Sequence, residues 1–240
     1  MKLRVVELLI ITTVPALFLA AGGWPPLMPT IASLVGGTLA AGAANAFNMV
    51  IESDIDKLMS RTKHRPVAAG VLTKKQASRF ATLIMILSLV IFWIFTTPLA
   101  TLLTSLAILF YVAIYTVILK PNTNQNIVWG GIAGCLPVLI GWASVTNSLS
   151  WTAFWFFMVV FFWTPPHFWA IAIKYRDDYE AAKIPMLPVV ASKQRVYVEQ
   201  VYKLRKGESE YERVAGRIFH FSILYLTLFS ALLVVGQLLL

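Results

Sequence analysis

The chain has 240 residues, of which 58% are hydrophobic and only 13% charged, and its mean hydropathy is +0.74. A soluble domain carries about a quarter charged residues, so this balance excludes an ordinary soluble globule and points to a membrane protein. The formal net charge of +9 would suit an anionic polymer or one charged face of a bilayer, and the placement of the cations separates the two.

Apolar runs of spanning length, at about 20 residues each, fall near 5–21, 27–48, 79–97, 99–119, 127–146, 151–173 and 218–240. They predict an all-α, polytopic membrane helix bundle of about seven transmembrane helices, in one domain over 1–240. The first run is not read as a signal peptide. Ala20-Ala21-Gly22 resembles a cleavage site, but Trp24-Pro25-Pro26 and a second apolar run follow at once. No Arg-rich, acid-poor transit segment precedes that run, which favours a bacterial cell (inner) membrane. The single cysteine, Cys135, lies in a predicted helix, so no disulfide forms within the chain and its expected role is packing.

With the N-terminus inside, every lysine and arginine falls on one side. Lys2 and Arg4 precede the first helix, seven cations fall between the second and third (Lys57 to Arg79), Lys120 follows the fourth, and ten lie between the sixth and seventh. The opposite connections, Gly22–Pro26, Thr97-Pro98 and Asn147–Ser150, carry none. This is the positive-inside pattern. It places the N-terminus and both acidic clusters, Glu52/Asp54/Asp56 and Asp177/Asp178/Glu180, on the cytoplasmic side. The basic charge is then a membrane-face property, and no nucleic-acid partner is expected.

The second helix ends in Asn48-Met-Val-Ile-Glu52-Ser-Asp54-Ile-Asp56, followed by Arg61-Thr62-Lys63-His64-Arg65-Pro66. Asn48, Glu52 and Asp56 are four apart, so on a helix each step rises roughly 6 Å and drifts about 40°, which lines all three on one face. Stacked oxygen ligands with a basic cluster beyond suit Mg²⁺ and a diphosphate, and acidic groups this close to a bilayer are functional candidates. The competing reading is a solvated helix end; the amides of Asn45 and Asn48, which need partners when buried, argue against it. Asp54 points to the far side and is the weaker ligand. Arg61, Lys63 and Arg65 can neutralise phosphate, or simply face lipid headgroups.

Farther on, Lys120-Pro-Asn-Thr-Asn-Gln-Asn126 joins the fourth and fifth helices. Lys120 is the only cation there and is a candidate diphosphate contact. Gly130, Gly131 and Gly134, like Gly36, Gly37 and Gly42 in the second helix, allow close approach of a helix or a flat substrate. The sixth helix contains Trp163-Thr-Pro165-Pro166-His167-Phe-Trp169. Its double proline should break the backbone ladder beside a cavity, and His167 is either an intramembrane ligand or base or a satisfied structural histidine. Aromatic residues from Trp151 to Trp169 could stabilise an allyl cation or simply face lipid. Tyr175-Arg176-Asp177-Asp178-Tyr179 then leads to Ile184-Pro185-Met-Leu-Pro188, where two prolines should hold the chain extended. Its adjacent carboxylates suit a second metal or a substrate lid.

These stretches together resemble the UbiA superfamily of intramembrane prenyltransferases, over about residues 2–192. The Asn48…Glu52…Asp56 motif with Arg61-Thr62 and Arg65-Pro66 is shared across the superfamily. Thr164-Pro-Pro-His167-Phe-Trp and Tyr175-Arg-Asp-Asp-Tyr…Ile184-Pro-Met-Leu-Pro-Val-Val190 are similar to its haem branch, the protohaem IX farnesyltransferases. The resemblance implies transfer of a farnesyl group from farnesyl diphosphate to a vinyl group of protohaem IX, with water added, to give haem O. It implies Mg²⁺ as cofactor, held by Asn48, Glu52, Asp56 and Asp177 or Asp178, with Arg61, Arg65, Lys120 and Arg176 toward the diphosphate and His167 in the catalytic set. A haem-pathway membrane partner is a further implication.

Two departures from that pattern stand out. Glu52 occupies a position where the family often has Asp, which lengthens the reach of the ligand. The family has nine helices, and after about residue 192 this chain reads as lacking two: Lys193–Arg217 is polar where a span should begin. Such a shortening would open one side of the bundle. The alternatives are therefore an inactive or incomplete remnant of the family, or a prenyltransferase acting on a quinone-precursor ring. A transporter fits less well, because no acidic group lies near the middle of a span.

Overall fold

The computed structural model describes residues 3–190 and 208–239. Among these residues every regular element is a helix: α1 (Leu3–Ala21), α2 (Leu27–Ile51), the short α3 (Ser53–Asp56), α4 (Lys74–Phe95) and α5 (Pro98–Leu109) come first. A π-helical segment, Phe110–Leu119, and one further turn, α6 (Lys120–Asn122), prolong α5. There follow α7 (Asn126–Thr146), α8 (Trp151–Lys174), the short α9 (Arg176–Ala181) and α10 (Leu187–Val190), and the last helix, α11 (Glu208–Leu239). Among the described residues six helices are long and apolar enough to cross a membrane; the apolar part of α1, Glu7–Ala21, is shorter. The molecule is an integral, multi-pass helical bundle.

Local chemistry sets the element boundaries. Thr73 caps α4 through a reciprocal capping box with Gln76, which satisfies donors at both ends of the turn. Thr97 caps α5, with Pro98 in its first turn, where the missing N–H costs nothing. Ser150 caps α8. Asn147 takes a left-handed conformation (φ 51°) to end α7, the role usually given to Gly or Asn.

Neighbouring long helices close into a ring: α2 packs on α4, α4 on α5, α5 on α7, α7 on α8, α8 on α11, α11 on α1, and α1 on α2. The α7 helix also crosses the interior to touch α1 and α2. Small residues permit this density. A Cβ on Gly36 would come within 2.9 Å of the Phe92 ring, and one on Gly141 within 3.1 Å of the Thr13 carbonyl. Ser88 donates to the Gly36 carbonyl at 2.7 Å and ties α4 to α2. Apolar side chains such as Trp93, Phe162 and Leu232 cover the outside, as a lipid-facing surface requires.

Three expectations need correction. Pro165 and Pro166 do not break their span; α8 runs unbroken from Trp151 to Lys174, because neighbouring helices can support a turn that lacks N–H donors. Pro188 does not keep the chain extended, since it sits in the first turn of α10, where proline is tolerated. The expected opening on one side is not seen among the described residues, where α11 packs against both α1 and α8. Of the polar stretch 193–217, residues 193–207 lie outside the described residues, and from Glu208 onward the chain is already helical.

Candidate active site

One cavity, about 260 Å³ in volume, lies inside the ring of helices. Its apolar depth is formed by residues such as Leu9, Phe92, Ile108 and Pro137, and its charged end by Asn48, Glu52, Asp56, Arg61, Arg65 and Lys120. Among the described residues none of α11 lines it.

The acidic face arises because helical hydrogen bonding persists past the end of α2. The Glu52 amide donates to the Asn48 carbonyl at 2.9 Å, and the Asp56 amide donates to the Glu52 carbonyl at 2.7 Å. The three residues are 2%, 3% and 1% exposed. Each buried carboxylate has its own cation. Lys120 Nζ donates to both oxygens of Glu52 at 2.5 and 2.6 Å. Arg65 Nη1 donates to both oxygens of Asp56 at 2.8 and 2.7 Å. Such short charge-assisted bonds offset the cost of taking charge out of water.

Lys120 reaches Glu52 through the π-helical segment. Thr116 Oγ1 donates to the Tyr111 carbonyl five residues back at 2.9 Å, the spacing of a π turn. That hydroxyl also accepts from Asn48 Nδ2 at 3.2 Å. Tyr111 and Tyr115 line the cavity, and Tyr111 Oη donates to Asn45 Oδ1 at 3.5 Å. Sequence reasoning missed both tyrosines. A continuous apolar run gives no sign of a π segment; the only hint was Gly130, where any side chain would collide with the Tyr115 ring.

Arg61 stands at the mouth. Its guanidinium lies over the rings of Tyr175 and Tyr179, with centroid distances of 5.2 and 5.9 Å, and donates to Tyr179 Oη at 3.2 Å. Burial pushes the Tyr179 phenol up from its ordinary value, while Arg61 works the other way. The α9 helix is joined to the same loop by Asp178, which accepts from the Ser60 amide at 3.1 Å, the Ser60 hydroxyl at 2.8 Å and the Arg61 amide at 3.2 Å. Partial removal from water opposes its charge, yet these bonds hold its carboxyl below the usual carboxylate range.

The other candidates lie elsewhere. Asp54 is exposed and pairs with Lys57 and Lys74; the Lys74 contact, then the Lys57 contact, holds its carboxyl low. Asp177 is exposed, and neither it, Asp178, Arg176 nor His167 lines the cavity. His167 Nδ1 is 2.8 Å from Ser222 Oγ of α11, and its ring lies between Trp163 and Phe219 at 4.4 and 4.8 Å. The Arg176 Nε is buried without a protein partner among the described residues.

As an oxygen donor set for a divalent cation, Asn48, Glu52 and Asp56 have the right chemistry and share one face. Among the described residues no three His, Cys, Asp or Glu side chains come together as a metal group; the second acidic segment reaches the first through the Ser60–Arg61 loop, where Asp178 is held.

The profile of the UbiA prenyltransferase family matches residues 9–205. The chain belongs to the UbiA prenyltransferase family. Its curated relatives include the protoheme IX farnesyltransferase of Frankia casuarinae, 55% identical over 196 residues, covering 82% of this chain and 68% of that protein. The protoheme IX farnesyltransferases of Renibacterium salmoninarum and Clavibacter michiganensis are 51% and 52% identical, each over 83% of this chain and over 63% and 65% of theirs. The chain thus spans a little under two thirds of the length of those two relatives. A UbiA homolog from Archaeoglobus fulgidus bound to DMAPP and Mg²⁺ superposes with a TM-score of 0.67 at 15% identity, over 99% of this chain and 83% of that one. The apo UbiA homolog from Aeropyrum pernix K1 gives 0.65 at 18% identity, over 99% and 91%. The bundle is therefore the UbiA fold.

Proposed function

We propose that this UbiA family member is a membrane prenyltransferase that moves a farnesyl group from farnesyl diphosphate to a vinyl group of protohaem IX, giving haem O. The observation that carries this reading is one cavity with an apolar depth and a charged end built from paired carboxylates and cations. A prenyl diphosphate has the same division, an apolar tail and an anionic head. The acceptor is taken from the names of relatives more than 50% identical.

Asn48, Glu52 and Asp56 would hold Mg²⁺, whose chemistry is to neutralise the diphosphate and make it a better leaving group. Lys120, Arg65 and Arg61 take up negative charge as the carbon–oxygen bond breaks with its electron pair on the diphosphate. The apolar wall excludes water from the allyl cation. The cation's terminal carbon bonds to the outer vinyl carbon; water adds to the inner one and gives up a proton. Under the positive-inside rule the charged end faces the cytoplasm and the membrane is the bacterial inner membrane. The whole chain would act as a single domain.

The test is turnover by membranes containing this chain, supplied with protohaem, farnesyl diphosphate and Mg²⁺. The expected product is heavier by one farnesyl group plus water and disappears with EDTA or Glu52→Ala. Absence of product, with a full-length relative active in parallel, refutes the reading for this chain.

A further inference from the structure

We propose that Asp178 is a positioning residue, not a metal ligand: its carboxylate clamps the Ser60–Arg61 peptide so that the Arg61 guanidinium, held by Tyr175 and Tyr179, meets a diphosphate at the cavity mouth. The inference rests on the prenyl-diphosphate reading of the cavity and assigns its second acidic segment a task there.

Four observations support it. Three donors from Ser60 and Arg61 already point at the two Asp178 oxygens, within 2.8 to 3.2 Å. Asp178 is absent from the cavity wall, whereas Arg61 and Tyr179 belong to it. No third acidic, His or Cys group joins Glu52 and Asp56 among the described residues. Finally, the far side of the clamp is rigid: Tyr179 is 6% exposed and packs in a core with Met59, Ala182, Ile184 and Met186.

An arginine on a loop loses side-chain freedom whenever it binds an anion. Here the loop backbone is fixed by Asp178, and the guanidinium is fixed by one hydrogen bond and two rings. That ordering is complete before the anion arrives, which favours binding. Arg61 remains exposed and therefore accessible.

The experiment uses the full chain in detergent, with Mg²⁺ and inorganic pyrophosphate as probes, and follows amide hydrogen exchange at Ser60 and Arg61. In Asp178→Asn, pyrophosphate affinity at saturating Mg²⁺ should fall about tenfold, Mg²⁺ half-saturation should not move, and both amides should exchange faster. Arg61→Lys should show a similar loss, and the double variant no more than the larger single loss. Tyr179→Phe keeps the packed ring and should give a smaller loss in the same direction, which covers the case where Asp178→Asn misfolds. A shift in Mg²⁺ half-saturation with unchanged pyrophosphate affinity would make Asp178 a metal ligand and overturn the proposal. Additive losses, or no loss, would overturn it too. Failure of the unaltered chain to bind Mg²⁺-pyrophosphate would instead defeat the prenyl-diphosphate reading beneath it.

Discussion

Replacing Lys120 by methionine keeps most of the side-chain volume and removes the cation that bonds both Glu52 oxygens. The two side chains are 15% and 4% exposed, so water cannot replace the lost partner fully. With charges about 3 Å apart and an effective dielectric of about 20, the lost attraction is about 5 kcal/mol before relaxation. Breaking one side of a buried pair typically costs about 3–5 kcal/mol, and a loss near 3 kcal/mol is expected here because Lys120 keeps some solvent contact. The assay is reversible denaturant unfolding in mild detergent, followed by tryptophan fluorescence. Added Mg²⁺ should recover part of the loss, since it supplies the missing charge at Glu52. The double variant Glu52→Gln/Lys120→Met should return to within about 1 kcal/mol of the parent, because neither charge is then left buried alone. If Lys120→Met alone costs less than about 1 kcal/mol, or the double variant is as unstable as the single, the pairing does not hold the site together.

Gly130→Ala should cost about 1–3 kcal/mol, because its methyl group meets the Tyr115 ring and the π segment must shift; thermal unfolding of the purified variant checks this. Gly37→Leu meets no protein atom within 4 Å of its Cβ and lines the cavity. Its stability should match the parent while binding of a prenyl diphosphate weakens about tenfold and that of inorganic pyrophosphate does not, as about two lost methylene contacts would give; parallel calorimetric titrations separate the two. The Asp178 clamp should also depend on pH. Its carboxyl is lowered on folding, so its contribution is full above the unfolded value of about 3.9. That contribution is lost as the pH falls further, through the folded value, and faster exchange of the Ser60 and Arg61 amides below about pH 4 is the readout.

The spans were legible because a bilayer demands long apolar runs; α7 and α8 lie within a residue or so of the predicted 127–146 and 151–173. The shared face of Asn48, Glu52 and Asp56 was legible because it needs only helical spacing. The pairing of Lys120 with Glu52 was not, since 68 residues separate them and nothing local encodes which helix ends meet. The same limit explains the second acidic segment. Asp177 and Asp178 could be put on the right membrane side by charge counting, but only the packed position of α9 decides that Asp178 turns to Ser60 and Arg61. His167 is a different case: the sequence leaves a ligand, a base and a structural histidine open, and only the packing of the last helix supplies the hydroxyl and the aromatic ring beside it.

The wide turn at Phe110–Leu119 has a consequence for how this protein tolerates changes in length. A π segment amounts to one extra residue accommodated inside a helix. Deleting a single residue there would let the segment relax to ordinary α geometry, with better hydrogen bonding and little loss of span. The helix beyond it would keep its facing, because the wide turn had absorbed the extra residue, so Lys120 would still meet Glu52. The segment thus tolerates the loss of one residue better than the gain of one, which a helix already holding a wide turn would pass on as a rotation of about 100° and so carry Lys120 away from Glu52.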